Sequence, residues 1–324
     1  MKAMILGATA YIENGLSMVN GLQNLGIESG FFNYRTFLQK YGQDELKHTI
    51  FSLLKIHKPE WIFCQYQHNP FPFDWFGEMK LINPDSKISL MSVDMRNNLD
   101  DATVAAGKYV DVCFQKGRQE YYLSQGLNCH ILQEGYTDLL FYKQEQEDPK
   151  VLDIVFAGGF YPTFQFPATQ ERVDILNYLC CKFDKIKVFG TGWENKLPSS
   201  CFGGFIELPQ INDIYNSSKI VLNINHYNDI EHYWSIRMIE GMASGSMMLT
   251  KYVPGLEKYF KNFEDLVWFY SLCDCVGLLE YYLTYDDERE LIAEKGRLSV
   301  QRDFRWESVM KKAHNVIFGS NKHF

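Results

Sequence analysis

A chain of 324 residues that is 46% hydrophobic and 22% charged can bury a substantial core, and at about 150 residues per domain it reads as two domains. Its net charge of −8 divides evenly: 14 Lys/Arg against 18 Asp/Glu over residues 1–150 leaves −4, and 18 against 22 over the remainder leaves −4 again. That balance excludes a global electrostatic footprint for nonspecific nucleic-acid binding, and no apolar stretch approaches the length of a membrane span.

Strand-like and helical runs alternate from the first residue. Residues 3–7 (AMILG) read as a buried strand, 14–26 as a helix stopped at Gly26, and 28–34 as a second strand. Helical spacing returns over 43–57, with Leu46, Ile50, Leu53 and Leu54 on one face. Runs 59–66, 87–93 and 110–114 are further strands, which predicts a parallel, doubly wound sheet. The charged segment 143–150 (KQEQEDPK) has no apolar period and marks a boundary. The pattern then restarts with a strand at 151–159, a helix at 169–183, a strand at 186–192, a helix at 209–218 and a strand at 219–225. A short helix over 235–245 precedes an apolar strand, and residues 287–318 are mostly helical. The expected division is an N-terminal domain over 1–147, a second over 148–305 and a terminal helix over 306–324, with the cleft between two α/β domains as the default ligand site.

The eight cysteines form no Cys-x-x-Cys pair and have no histidines at zinc spacing, so they read as reduced thiols in a reducing compartment, and a cytoplasmic location is expected. The N-terminus has too short an apolar run for a signal peptide. No Gly-x-Gly-x-x-Gly, phosphate-binding loop with its Lys, Gly-x-Ser-x-Gly elbow or Asp-x-Asp occurs. Neither a metal nor a bound cofactor is expected. The charge of a diphosphate would instead fall to Arg237, to residues such as Arg172 and to helix dipoles.

Ligands of open α/β sheets gather at the carboxyl ends of strands. In the second half those ends carry Gly158 and Gly159, then Gly190, Gly192 and Trp193, then Asn225, His226, His232, Ser235, Arg237 and Glu240. Glycines there allow close approach of backbone to phosphate, and they also make turns. Arg237 and Glu240, three apart, can share one helix face, either as a structural ion pair or as a cation and a hydroxyl-accepting carboxylate suited to a ribose diphosphate. In the first half the strand ends carry Glu13, the loop with His68, and Asp94. The loop QYQHNPFPFDWF suits a sugar or base acceptor through stacking, or packs its aromatics on the core.

Five segments resemble the glycosyltransferase group-1-like family that includes CgeB-type spore proteins: DIVFAGGFY (153–161), VFGTGW (188–193), IYNSSKIVLNIN (214–225), SIRMIEGMASGSMMLT (235–250) and RDFRWESV (302–309). The portion from Arg237 to Gly245 is the most specific; the first half matches only in strand pattern and in EGYTDLLFY (134–142). The resemblance implies an α/β, GT-B-like fold of two Rossmann-like doubly wound parallel-sheet domains facing a cleft, with a C-terminal helix crossing back. It implies that the second domain binds the donor nucleotide, of UDP type. Glu240 would hold the ribose hydroxyls, Ser235 and Ile236 the diphosphate, and Phe205, Ile206 and Leu208 the base. Where retaining members show Glu, seven residues, then the ribose Glu, this chain has His232 at the first position, with Glu231 beside it, which leaves retention or inversion open.

The leading functional expectation is a metal-independent transferase that moves a sugar from a nucleoside-diphosphate sugar to an acceptor hydroxyl. The acceptor classes open to it are a metabolite, a glycan, a protein or a hydroxymethylated DNA base of the phage type. If the enzyme inverts, Asp94, His68 or Glu13 would be the base. The alternatives are a sugar-nucleotide epimerase of the same architecture and a non-catalytic nucleotide-binding relative.

Overall fold

The computed structural model describes residues 1–9, 11–67, 70–92, 95, 100–145 and 150–319. It divides into two compact units, one formed by Met1–Leu139 with the segment from Phe304 onward, the other by Leu140–Asp303.

Unit 1 runs β1 (Lys2–Gly7), α1 (Ile12–Asn24), β2 (Glu28–Asn33), α2 (Tyr34–His57), β3 (Trp61–Gln65), α3 (Trp75–Ile82), β4 (Lys87–Met91), α4 (Asp100–Gly107), β5 (Val112–Gln115), α5 (Gln119–Ser124) and β6 (Cys129–Ile131). Its six strands are all parallel in the order β2-β1-β3-β4-β5-β6. Successive residues of a strand point to opposite faces, so a sheet covered on both sides needs continuous apolar runs. Met4 and Leu6 of β1, with Ile62 and Cys64 of β3, pack on Leu46, Ile50 and Leu54 of α2. Ala3 and Ile5, with Trp61 and Phe63, pack on Met18 and Leu22 of α1.

Helix α2 begins nine residues before the apolar period that predicts it, because it is two helical segments joined at Gly42 (φ 81°, ψ 178°). The first is capped by Asn33, whose side chain accepts the Thr36 N–H at 3.2 Å. Gly26, at φ 72°, stops α1 as expected.

Unit 2 runs β7 (Leu152–Ala157), α6 (Thr169–Lys182), β8 (Ile186–Phe189), β9 (Phe202–Gly204), α7 (Leu208–Asn216), β10 (Ser218–Asn223), α8 (Arg237–Ala243), β11 (Met247–Lys251), β12 (Val267–Phe269), α9 (Leu272–Thr284) and α10 (Asp286–Asp303). The chain then returns to unit 1 as α11 (Trp306–Phe318). The sheet order β12-β11-β10-β7-β8-β9 is again all parallel, and it reverses direction between β7 and β10. That switch point leaves a crevice at the carboxyl ends of the two strands. Strands β9 and β12, three residues each, carry too little pattern to be read in advance.

Helix α11 places Trp306, Val309, Met310 and Ala313 in the same apolar layer as α1, β1 and β3. The approach is close: a Cβ on Gly21 of α1 would stand 2.7 Å from the Glu307 backbone nitrogen. Trp306 Nε1 donates to Asn14 Oδ1 at 2.7 Å, and Asn24 Nδ2 donates to Glu307 Oε2 at 2.8 Å.

Candidate functional site

The crevice at the switch point is built from the loops that leave β7, β8 and β10. After β7, Gly158 donates its N–H to Phe189 O at 2.8 Å, and Phe160 donates to Thr191 O at 2.8 Å, so the loops after β7 and β8 are zipped together. Gly190 (φ 135°) makes this possible, since a Cβ there would lie 2.5 Å from Gly158 O. Gly192 comes similarly near, with its hypothetical Cβ 3.1 Å from Phe160 O. Trp193 lies buried beneath, and its Nε1 donates to Gly158 O at 2.6 Å. It braces the loop from inside.

Two arginines converge on this backbone. Arg172, in the first turns of α6, is 1% exposed. Its Nη2 donates to Gly159 O at 3.2 Å and its Nη1 to His226 Nδ1 at 2.7 Å, so that ring nitrogen presents its lone pair. Arg237, the first residue of α8, lies against Gly158, where an added Cβ would stand 3.0 Å from the guanidinium carbon. Both cations ride on the Phe156 ring, at 5.1 and 5.8 Å from its centroid. Among the described residues neither forms an ion pair with a carboxylate. Arg172 Nε and Arg237 Nη2 are buried without a hydrogen-bond partner. Burial and the charge of Arg237 push the Arg172 pKa down from its ordinary value. A buried and a half-buried cation, each with an unused buried donor, are costly side by side and make a strong seat for an anion.

The loop from β10 into α8 is organised by Asn225, whose Oδ1 accepts the Ser235 N–H at 2.8 Å and an Asn223 Nδ2 donor at 3.1 Å. Ser235 Oγ in turn accepts the Arg237 N–H at 3.4 Å, and Ile236 caps the helix. Glu240, one turn on, is 6% exposed, and among the ion pairs between described residues none joins it to Arg237. The shared-face reading of the two as a structural salt bridge is therefore not what the helix contains. Both act electrostatically on the buried Tyr215 phenol: burial pushes its pKa up most, Glu240 adds to the rise and Arg237 opposes it.

His232 stands apart from this cluster. It holds φ 68°, with its N–H donated to Pro254 O at 2.9 Å and its ring against Gly255 and Tyr259. Its Nε2 lies 3.3 Å from Glu231 Oε1, and burial pulls its pKa down despite that carboxylate. Phe205 and Ile206 follow β9, Phe205 largely exposed, and Leu208 opens α7 behind the Glu207–Gln210 capping box. This stretch reaches the glycine loops through Gly190 N–H, which donates to Gly204 O at 2.9 Å.

In unit 1, Glu13 sits in the first turn of α1 and faces a cavity of about 550 Å³ at the carboxyl ends of β1 and β2. His68 and Asp94 lie outside the described residues. The aromatic loop offered by the sequence as an acceptor surface turns most of its rings inward: Tyr66, Phe71, Trp75 and Phe76 are buried in one packed cluster, Phe71 and Trp75 stacked at 5.2 Å. Of the two readings of that loop, packing on the core describes these four.

The residue given no role in advance is His226. It follows an apolar strand like several other polar residues, and only the fold shows it stacked on Phe166 at 4.2 Å and accepting from Arg172. No group of three or more His, Cys, Asp or Glu able to hold a metal occurs among the described residues. No helix among them is long and apolar enough to cross a membrane.

Two parallel six-stranded sheets with flanking helices make this a GT-B fold, the fold of known glycosyltransferase structures. Anabaena HepE, solved with UDP and glucose, is similar with a TM-score of 0.65 at 11% identity, covering 97% of this chain and 98% of that one. Sucrose-phosphate synthase from Thermosynechococcus elongatus gives 0.67 at 13% identity, covering 99% of both chains. A glycosyltransferase from Rickettsia africae gives 0.60 at 12% identity, covering 98% of this chain and 99% of that one. Within that fold class, residues 170–315, which include Arg172, Arg237 and Glu240, match the family described as glycosyl transferase-like. No curated protein sequence matches the chain.

Proposed function

We propose that this chain transfers a sugar from a nucleoside-diphosphate sugar, of UDP type, to an acceptor hydroxyl. The observation that carries the reading is the pair Arg172, buried, and Arg237, half-buried, over Phe156 at the switch point, with unused donors and no carboxylate partner among the described residues. A diphosphate supplies the missing counter-charge. HepE, which shares the fold, has been solved with UDP-glucose, and this supports the choice of ligand.

In this mechanism the arginines hold the diphosphate and stabilise the charge that grows on it as the sugar–phosphate bond breaks. Glu240 accepts hydrogen bonds from ribose hydroxyls, and the loop at Ser235 and Ile236 adds backbone donors to the phosphates. The backbone at Phe205, Ile206 and Leu208 meets the base. If the reaction inverts, a unit 1 residue takes the acceptor proton, with Asp94, His68 and Glu13 as the candidates. Catalysis is then chiefly positional, the acceptor hydroxyl being held in line with the breaking bond.

The test is a thermal-shift titration with UDP and UDP-glucose. A ligand at 100 times its dissociation constant adds about 2.7 kcal/mol of stability. Glu240→Gln keeps the helix and removes the carboxylate; it should weaken UDP about 10-fold or more and narrow the gap between UDP and 2′-deoxy-UDP. The reading fails if no nucleoside diphosphate stabilises the protein, or if Glu240→Gln binds UDP and its deoxy analogue just as the parent does.

A further inference from the structure

With four rings of the 66–76 loop folded into the core, the exposed aromatic surface at the carboxyl edge of the unit 1 sheet lies elsewhere. The cavity of about 550 Å³ beside Glu13 is lined on one side by Tyr11 and the start of α1, on the other by the first segment of α2. Gly42 ends that segment one residue after Tyr41, and Phe37 and Tyr41, four apart, share its face. Their ring centroids are 4.6 Å apart, and Tyr41 is 52% exposed. Lys40 Nζ stands 5.0 Å from the Tyr41 centroid. The Glu13 carboxylate has no hydrogen-bond or ion-pair partner among the described residues. Asn33 has its amide occupied, donating to Thr9 O at 2.6 Å and accepting from Thr36 N–H, so it holds the rim in shape.

We propose that this cavity is the acceptor subsite and that the acceptor is a neutral carbohydrate. A sugar ring has an apolar C–H face and an equatorial girdle of hydroxyls. The first suits the Phe37–Tyr41 surface, and the second suits a carboxylate with free lone pairs. One cation and one anion, Lys40 and Glu13, leave the lining without net charge. A nucleic-acid acceptor would bring phosphates toward Glu13, which nothing there compensates beyond Lys40. The inference rests on the transferase reading above and specifies its second substrate.

Maltotriose, cellotriose and triacetylchitotriose are titrated into the full chain, with and without saturating UDP, and followed by saturation-transfer NMR. At least one should bind. Tyr41→Ala should weaken it about tenfold and Tyr41→Phe, which keeps the ring, less than about twofold, a tenfold change being about 1.4 kcal/mol. Glu13→Gln should weaken it too, and the UDP-induced thermal shift should be equal in all four proteins. Tyr41 is exposed, so its replacement leaves the core untouched. The proposal is overturned if none of the three sugars binds, if Tyr41→Ala binds them as well as the parent, or if only hydroxymethylated duplex DNA is retained. Sugar binding without any UDP shift would remove the transferase reading and keep the site; a UDP shift without sugar binding would do the reverse.

Discussion

Arg237 packs its guanidinium against the bare backbone of Gly158, where an added Cβ would stand 3.0 Å from the guanidinium carbon. Helix α8 thus begins with a cation delivered to the carboxyl end of β7, next to a second cation on α6 that is itself pinned by Gly159 O and His226.

Removing one of two adjacent like charges, the half-buried Arg237, should cost the empty protein nothing. Arg237→Met keeps the packing on Phe156 and discards an unpartnered donor, so the free protein should melt at the same temperature or higher. UDP should weaken roughly 10- to 100-fold, the worth of one charge-assisted hydrogen bond at about 1.5–3 kcal/mol. Melting curves with and without UDP check both halves. A lower melting temperature with an unchanged UDP shift would make Arg237 merely structural.

The two glycines of the zipped loops should respond differently to one added methyl. Gly190→Ala forces a side chain onto φ 135° and into Gly158 O, a rigid backbone atom, and should cost about 1–3 kcal/mol or more in stability. Gly158→Ala meets only the flexible end of Arg237. It should leave urea denaturation nearly unchanged while displacing the guanidinium and lowering UDP affinity. Equal losses of stability in the two variants would refute the distinction.

Contact between α1 and α11 depends on a missing side chain. A Cβ at Gly21 would sit 2.7 to 3.0 Å from the Glu307 and Trp306 backbones, which cannot rotate away. Gly21→Ala should therefore destabilise by about 1–3 kcal/mol although alanine is the better helix former. Chemical denaturation monitored by Trp fluorescence would show a higher midpoint only if the helices can part freely.

The thiols should divide cleanly by access. Cys181 and Cys273 are exposed and the other six are buried. Burial pushes the pKa of Cys113, Cys129 and Cys275 up to about 12, so at pH 8 they hold almost no thiolate, the reactive form. Titration with a disulfide reagent should count two fast thiols in the native protein and eight after denaturation. More than two fast thiols would contradict this packing.

Much of the architecture was legible because parallel strands covered on both faces must be apolar throughout, and AMILG, WIFC and KIVLN say so directly. The first segment of α2 was not, since its existence depends on one glycine at φ 81° rather than on periodicity. The 66–76 loop could be read either way: composition counts rings, whereas only packing decides whether Phe71 and Trp75 stack inward. Arg237 and Glu240 could be placed on one helix from their spacing. The meeting of Arg237 with Arg172 over Phe156 is a tertiary fact between residues far apart in the chain.

Because α11 belongs to the layer that holds α1, β1 and β3, unit 1 needs a segment the ribosome delivers only after all of unit 2 has emerged. Until Trp306, Val309 and Met310 arrive, Ala3, Ile5, Trp61 and Phe63 have one side of their sheet incompletely covered. Unit 2, continuous in the chain, can finish first. The order of completion then runs opposite to the order of synthesis, and the waiting apolar face of unit 1 is where a nascent chain of this protein most needs shielding by a chaperone.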